Sequence, residues 1–176
     1  IVLLFGMLAM GAFLEADGFF ERAAAHLVRR VETPAGLLAA IVWGAGLSAA
    51  LLTNDAVCVF GAPLVVRLVE RHRLRPLPFL LALATAANTG SVATLVGNPQ
   101  NMLCGHLGGL GYRQYAAVML PVALFGLGAN HLLLRWSFRA DLGGTLSEHE
   151  GSEPLFSRGS VTILAVVGAS ALLYLA

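Results

Sequence analysis

Charged side chains are absent from long stretches of this chain and crowd into short ones. Between Pro34 and Val66 the only charged residue is Asp55, and between Pro76 and Leu134 the only one is Arg113. Stretches so long and apolar predict membrane-embedded helices. Residues 1–14 read as the end of a transmembrane helix. In 15–33, Phe19, Phe20, Ala23, Ala24, Leu27 and Val31 recur at helical spacing opposite Glu21, Arg22, Arg29 and Arg30. That is the pattern of an amphipathic helix lying on the cytoplasmic membrane surface. Thr33-Pro34 then supplies a helix start, threonine as N-cap and proline at the first helical position.

The segment 34–69 decides the topology. As one helix its 36 residues would reach about 54 Å at 1.5 Å per residue, well beyond a hydrocarbon core of roughly 30 Å. It must break, and Thr53-Asn54-Asp55 is the polar, helix-breaking place to do so. Arg22, Arg29 and Arg30 precede it, and Arg67, Arg71, Arg73 and Arg75 follow it. Arginine marks the cytoplasmic side, so both ends belong there and 34–69 reads as a re-entrant hairpin with its tip at Asn54-Asp55. Two complete crossings joined at the same residues are the alternative. Next, 78–110 is apolar but interrupted at Asn88-Thr89-Gly90-Ser91 and at Gly97-Asn98-Pro99-Gln100-Asn101, the pattern of a broken transmembrane helix. A glycine-rich extracellular turn leads into 112–136, a full span ending in Arg135 and Trp136. Residues 137–158 read as a cytoplasmic loop, and 159–176 as a further transmembrane helix that the sequence truncates.

Composition agrees with lipid as the solvent. Hydrophobic residues make up 57% of the 176 and charged ones 12%, against about a quarter charged in soluble domains. Lysine is absent, and eleven basic residues nearly balance ten acids, for a net charge of +1. A nucleic-acid partner would require a basic face instead. Cys58 and Cys104 lie in apolar segments without a C-x-x-C pair, which excludes a disulfide framework or structural zinc.

Polar, helix-breaking residues at membrane depth are costly unless they line a protein-enclosed or wet cavity. Two such interruptions, one in a hairpin and one in a broken helix, are what a binding site near the bilayer midplane requires. Helix N-termini offer N–H groups and a positive dipole end to an anion, while unwound carbonyls and amide oxygens can ligate Na⁺. Thr53, Asn54, Asp55, Asn88, Thr89, Ser91, Thr94, Asn98 and Asn101 are the candidate ligands. Gly90 and Gly97 permit close backbone approach, and Pro99 cannot extend the preceding hydrogen-bond ladder.

Thr53-Asn54-Asp55 with Pro63, followed by Asn88-Thr89-Gly90-Ser91-x-x-Thr94-x-x-Gly97-Asn98-Pro99-Gln100-Asn101, resembles the ion transporter superfamily of arsenite permeases, divalent anion/sodium symporters and citrate-type transporters. The arsenite-permease and anion-permease branch is the most similar. The resemblance covers residues 1–140 and is most specific over 50–66 and 86–104. It implies an all-α polytopic membrane protein in which a re-entrant hairpin and a broken helix form one half of an inverted-repeat carrier. A second repeat of the same polypeptide would complete the site, and the resemblance allows a homodimer. The dicarboxylate symporters carry Ser-Asn-Thr at the hairpin tip and Gly-Thr-Pro-Pro-Asn in the broken helix, so the departures here point away from a dicarboxylate.

The expected activity is ion-coupled secondary transport of a small inorganic or organic anion in the plasma (inner) membrane, driven by Na⁺ or H⁺, with no resident cofactor and no enzymatic chemistry. A Na⁺/H⁺ antiporter using Asp55, or a non-transporting membrane subunit, are the competing readings. Several features have plainer explanations. Asn54 and Asp55 have the residue types that cap a helix starting at Ala56. The breaks in 88–101 could be packing kinks, and Cys58 and Cys104 small apolar fillers. His106 and His131 read as satisfied groups near helix ends, Glu148-His149-Glu150 as a solvated loop, and Ser48 lacks the partners of a nucleophile.

Overall fold

The computed structural model describes residues 2–18, 22 and 31–146. The amphipathic stretch after Gly18 and the segments 147–158 and 159–176 lie outside the described residues, apart from Arg22 and 31–33. Those described are all helical, without strands: α1 (Val2–Ala16), α2 (Pro34–Leu51), α3 (Asn54–Arg71), α4 (Pro76–Ser91), α5 (Pro99–Gly108) and α6 (Tyr112–Ser137). Two of them, α2 and α6, are long and apolar enough to cross a membrane.

Local chemistry sets the helix boundaries. Thr33 caps α2 from extended backbone, its hydroxyl accepting from the Gly36 amide at 3.1 Å, with Pro34 at the first helical position. The helix stops at Leu51, and Thr53 starts the next one in the same way, accepting from the Ala56 amide at 3.3 Å. Thr53 is therefore the cap, and α3 begins at Asn54. This corrects the expectation that Asn54 and Asp55 cap a helix starting at Ala56. The threonine hydroxyl already occupies the N3 amide, which moves both residues into the first turn. There the Asp55 carboxylate complements the positive end of the helix dipole. The far end of α3 closes on Arg73, which adopts a left-handed φ of 54° while the Leu74 amide reaches back to the Val69 carbonyl. Pro76 and Pro78 then open α4.

The core is built around α2 and α4. Leu37, Leu38, Ile41 and Val42 of α2 meet Phe79, Ala82, Leu83, Ala86 and Ala87 of α4, with Val65 and Val69 of α3 and Leu127 and Leu134 of α6 closing the cluster. Small residues let the backbones approach. A Cβ on Gly90 would stand 2.1 Å from the Gly46 carbonyl oxygen, and one on Gly46 would stand 2.5 Å from the Leu127 side chain. Such small-residue contacts are how helices associate in lipid, where burying apolar surface brings little gain. On its outer side α6 presents Val118, Val122, Phe125, Leu132 and Trp136 largely exposed. An apolar face of that extent belongs against lipid or another part of the protein.

Candidate functional site

The two interruptions meet. The Asn54 amide donates to the Gly97 carbonyl at 3.0 Å. The Thr94 hydroxyl donates to the Ala50 carbonyl at 2.7 Å, satisfying an acceptor that the end of α2 leaves without an intrahelical donor. The tip between α2 and α3 is thus bonded at two points to residues 92–98 between α4 and α5. Asn98 caps α5 from extended backbone, its Oδ1 accepting from the Asn101 amide at 2.7 Å ahead of Pro99. The N-termini of α3 and α5 consequently emerge side by side, each behind its own cap.

Within the second interruption the polar groups are spent on one another. Ser91, fully buried, donates through Oγ to the Asn88 carbonyl at 2.8 Å and accepts from Asn98 Nδ2 at 3.1 Å. Asn101 Nδ2 donates to the carbonyls of Ser91 and Thr94 at 3.1 and 2.9 Å. The Thr89 hydroxyl turns back to the Thr85 carbonyl at 2.7 Å. Gly97 is required by space, since a Cβ there would lie 2.0 Å from the Ser91 carbonyl oxygen. Buried polar groups closed in this way make an unwound backbone tolerable without water.

The first interruption is different. Thr53 is buried and committed to its cap, whereas Asn54 Oδ1 is buried with no hydrogen-bond partner among the described residues. A buried amide oxygen without a donor costs on the order of 1–3 kcal/mol. Beside it in sequence, Asp55 is exposed, as is Asn88 at the last turn of α4. Of the eleven sequence candidates, Thr53, Ser91, Thr94, Asn98 and Asn101 thus hold the backbone in shape. Gly90 and Gly97 provide close approach, and the Thr89 hydroxyl is spent on the carbonyl one turn back in its own helix. Asn54, Asp55 and Asn88 keep groups unspent.

Several contributors were not singled out from sequence. Tyr112, the first residue of α6, hydrogen-bonds Thr94. Thr85 and Asn130 clamp α4 to α6, Asn130 Nδ2 donating to the Thr85 hydroxyl at 3.0 Å. Trp43 Nε1 donates to His131 Nδ1 at 3.4 Å. Each pair joins residues far apart in the chain, so only the fold reveals them. A cavity of about 340 Å³ lies beyond the break, lined mainly by Leu95, Val96, Met102 and Leu110, with His106 and Tyr112 at its edge. Its lining is apolar and it does not contain the unspent polar groups. Among the described residues no three His, Cys, Asp or Glu side chains gather as metal ligands.

The family model described as citrate transporter matches residues 1–176. A silicon efflux transporter of Oryza sativa subsp. japonica is 36% identical over 149 residues, covering 84% of this chain and 31% of the relative. The arsenical pump membrane protein of Escherichia coli K12 is 31% identical over 141 residues, covering 77% of this chain and 33% of the relative. An uncharacterised transporter of Mycobacterium tuberculosis is 33% identical over 137 residues, covering 77% of this chain and 32% of the relative. The chain spans about a third of the length of these relatives.

Proposed function

Since the chain belongs to the citrate transporter family, a family of integral membrane proteins, we propose that it supplies one repeat of an ion-coupled secondary transporter for a small inorganic or organic anion. The observation that carries this reading is the hydrogen bond from the Asn54 amide to the Gly97 carbonyl. It brings two capped helix N-termini together, and N-termini are where free N–H groups and a positive dipole end favour an anion. Asn54 Oδ1 adds an acceptor with no partner of its own among the described residues, suited to a hydroxyl of the substrate or to a coupling Na⁺. Small metalloid oxyanions of the arsenite type head the substrate class, because the relatives named above include an arsenical pump and a silicon efflux transporter.

Helix lengths support a hairpin tip inside the membrane. At 1.5 Å per residue, the 26 residues of α6 span about 39 Å. The 16 residues of α4 and the 10 of α5 reach about 24 and 15 Å, which together match α6. Trp43 lies opposite His131, and Gly46 opposite Leu127. From that level α6 has about 22 Å still to run towards Tyr112, while α2 has about 8 Å to its end at Leu51. On helix length alone α2 ends before α6 does, which supports re-entry, and the Tyr112 side chain bridges back from that end of α6 to Thr94 beside the tip. Re-entry also leaves the arginines after α3 on the side where α2 begins, which arginine distribution makes cytoplasmic. A second repeat of the same polypeptide, inverted across the plasma (inner) membrane, would complete the site, and the whole would pair as a homodimer through surfaces outside this bundle's core.

The test is uptake of radiolabelled arsenite, and separately of citrate, by the full-length protein in sealed vesicles. Asn54→Ala is expected to remove transport while membrane expression persists. Uptake that survives this change overturns the site. The antiporter reading rests on Asp55, the only acid between Pro34 and Val66. It requires Asp55→Asn to abolish Na⁺-driven proton movement.

A further inference from the structure

The end of the bundle where α2 begins and α6 finishes is rich in arginine. Arg75 there is paired, 3.1 Å from Asp141. Arg135 and Arg139 are not: they stand four residues apart, both exposed, with no acidic partner among the described residues. Like charges at that spacing repel each other by a few tenths of a kcal/mol, so the pair gains from any anion that sits between them. Beside them is a cavity of about 470 Å³, walled by Ala35, Leu132, Trp136 and Leu142, with no acid in its lining. Ala35 lies in the first turn of α2 and adds the positive end of that helix dipole.

The occupant must be anionic at one end and apolar along its length. Leu132 and Trp136 are 68% and 70% exposed, at the end of a helix long and apolar enough to cross a membrane. Tryptophan with arginine at such a position marks the level of the lipid headgroups. A soluble anion would leave the apolar wall wet, and a zwitterionic headgroup would bring its own cation towards two guanidinium groups. Basic pockets between membrane helices on the arginine-rich side are where anionic headgroups are held. We propose that this cavity is a binding site for an anionic phospholipid, with the phosphate on Arg135 and Arg139 and an acyl chain along Leu132 and Trp136. The site lies at the opposite end of α2 from the hairpin tip and does not depend on which solute is carried.

The test uses the full-length protein in phosphatidylcholine vesicles with and without phosphatidylglycerol, followed by gentle extraction and native mass spectrometry of retained lipid, with thermal unfolding alongside. Wild type is expected to retain phosphatidylglycerol over phosphatidylcholine and to melt higher with it. The double variant R135Q/R139Q should bind phosphatidylglycerol about thirtyfold more weakly, as losing two membrane-surface cations implies, whereas R135K/R139K and R113Q should keep most of the binding. Should the double glutamine variant not fold, each single variant is measured instead, with an expected loss of about fivefold. Glutamine variants that retain phosphatidylglycerol like wild type overturn the proposal. So does equal retention of phosphatidylcholine, or a thermal shift of the same size from inorganic phosphate alone.

Discussion

The two interruptions are built from the same parts and use them oppositely. Each ends one helix and starts another behind a polar cap in extended backbone, Thr53 in the first and Asn98 in the second. The break between α4 and α5 then consumes its polar side chains internally: Ser91, Asn98 and Asn101 form a closed set of hydrogen bonds. The break between α2 and α3 is shorter, borrows its rigidity from the other through Gly97 and Thr94, and leaves Asn54 Oδ1 without a partner among the described residues. A polar residue in a membrane protein can thus be left unspent or used as a brace, and its partners, not its type, decide which. Asn54 and Asn98 are the same residue with different assignments.

Substitutions can break this contrast in graded steps. The largest effect is expected from Gly90→Ala, because the new methyl would overlap the Gly46 backbone, which cannot rotate away. A loss of about 3 kcal/mol or more is expected, at the upper end of overpacking penalties, visible as failure of the purified protein to give a cooperative melt. Asn98→Ala comes next. It removes the α5 cap and strips Ser91 of its donor, for about 2 kcal/mol. Stability and transport should fall together, and Asn98→Asp should recover the cap alone. Thr94→Val deletes the bond to the Ala50 carbonyl and should cost about 1 kcal/mol. Asn54→Ala should leave the melting temperature unchanged or slightly raised, since it removes a buried acceptor that has no partner, yet reduce transport at least tenfold. A large loss of stability in this last variant would place Asn54 with the braces and erase the distinction.

Much of this architecture is legible along the chain. Proline after threonine at 33–34 and the apolar runs around Thr53 and Gly97 carry enough local chemistry to set where helices start and stop. The division of labour among the polar residues is not legible. The Asn54 amide meets the carbonyl of Gly97, and Thr94 that of Ala50, across more than forty residues. A glycine chosen for its neighbour, such as Gly46 under Gly90 and Leu127, looks in sequence like any glycine of a membrane helix. Thr53, Asn54 and Asp55 all have the residue types of a cap, and only the folded backbone shows that Thr53 takes the position. Tyr112 is hidden differently, as the aromatic end of a glycine-rich turn whose partner Thr94 is reached by folding.

The contact of Gly90 on Gly46, with no side chain between the two backbones, has a mechanical consequence. Together with the two bonds at the tip it leaves no give between α2 and α4, so neither can swing while the other stays. In the transporter proposed above, this pair would therefore move as one block. Arg73 after α3 and Gly109 after α5, both in left-handed backbone, close the helices next to that pair.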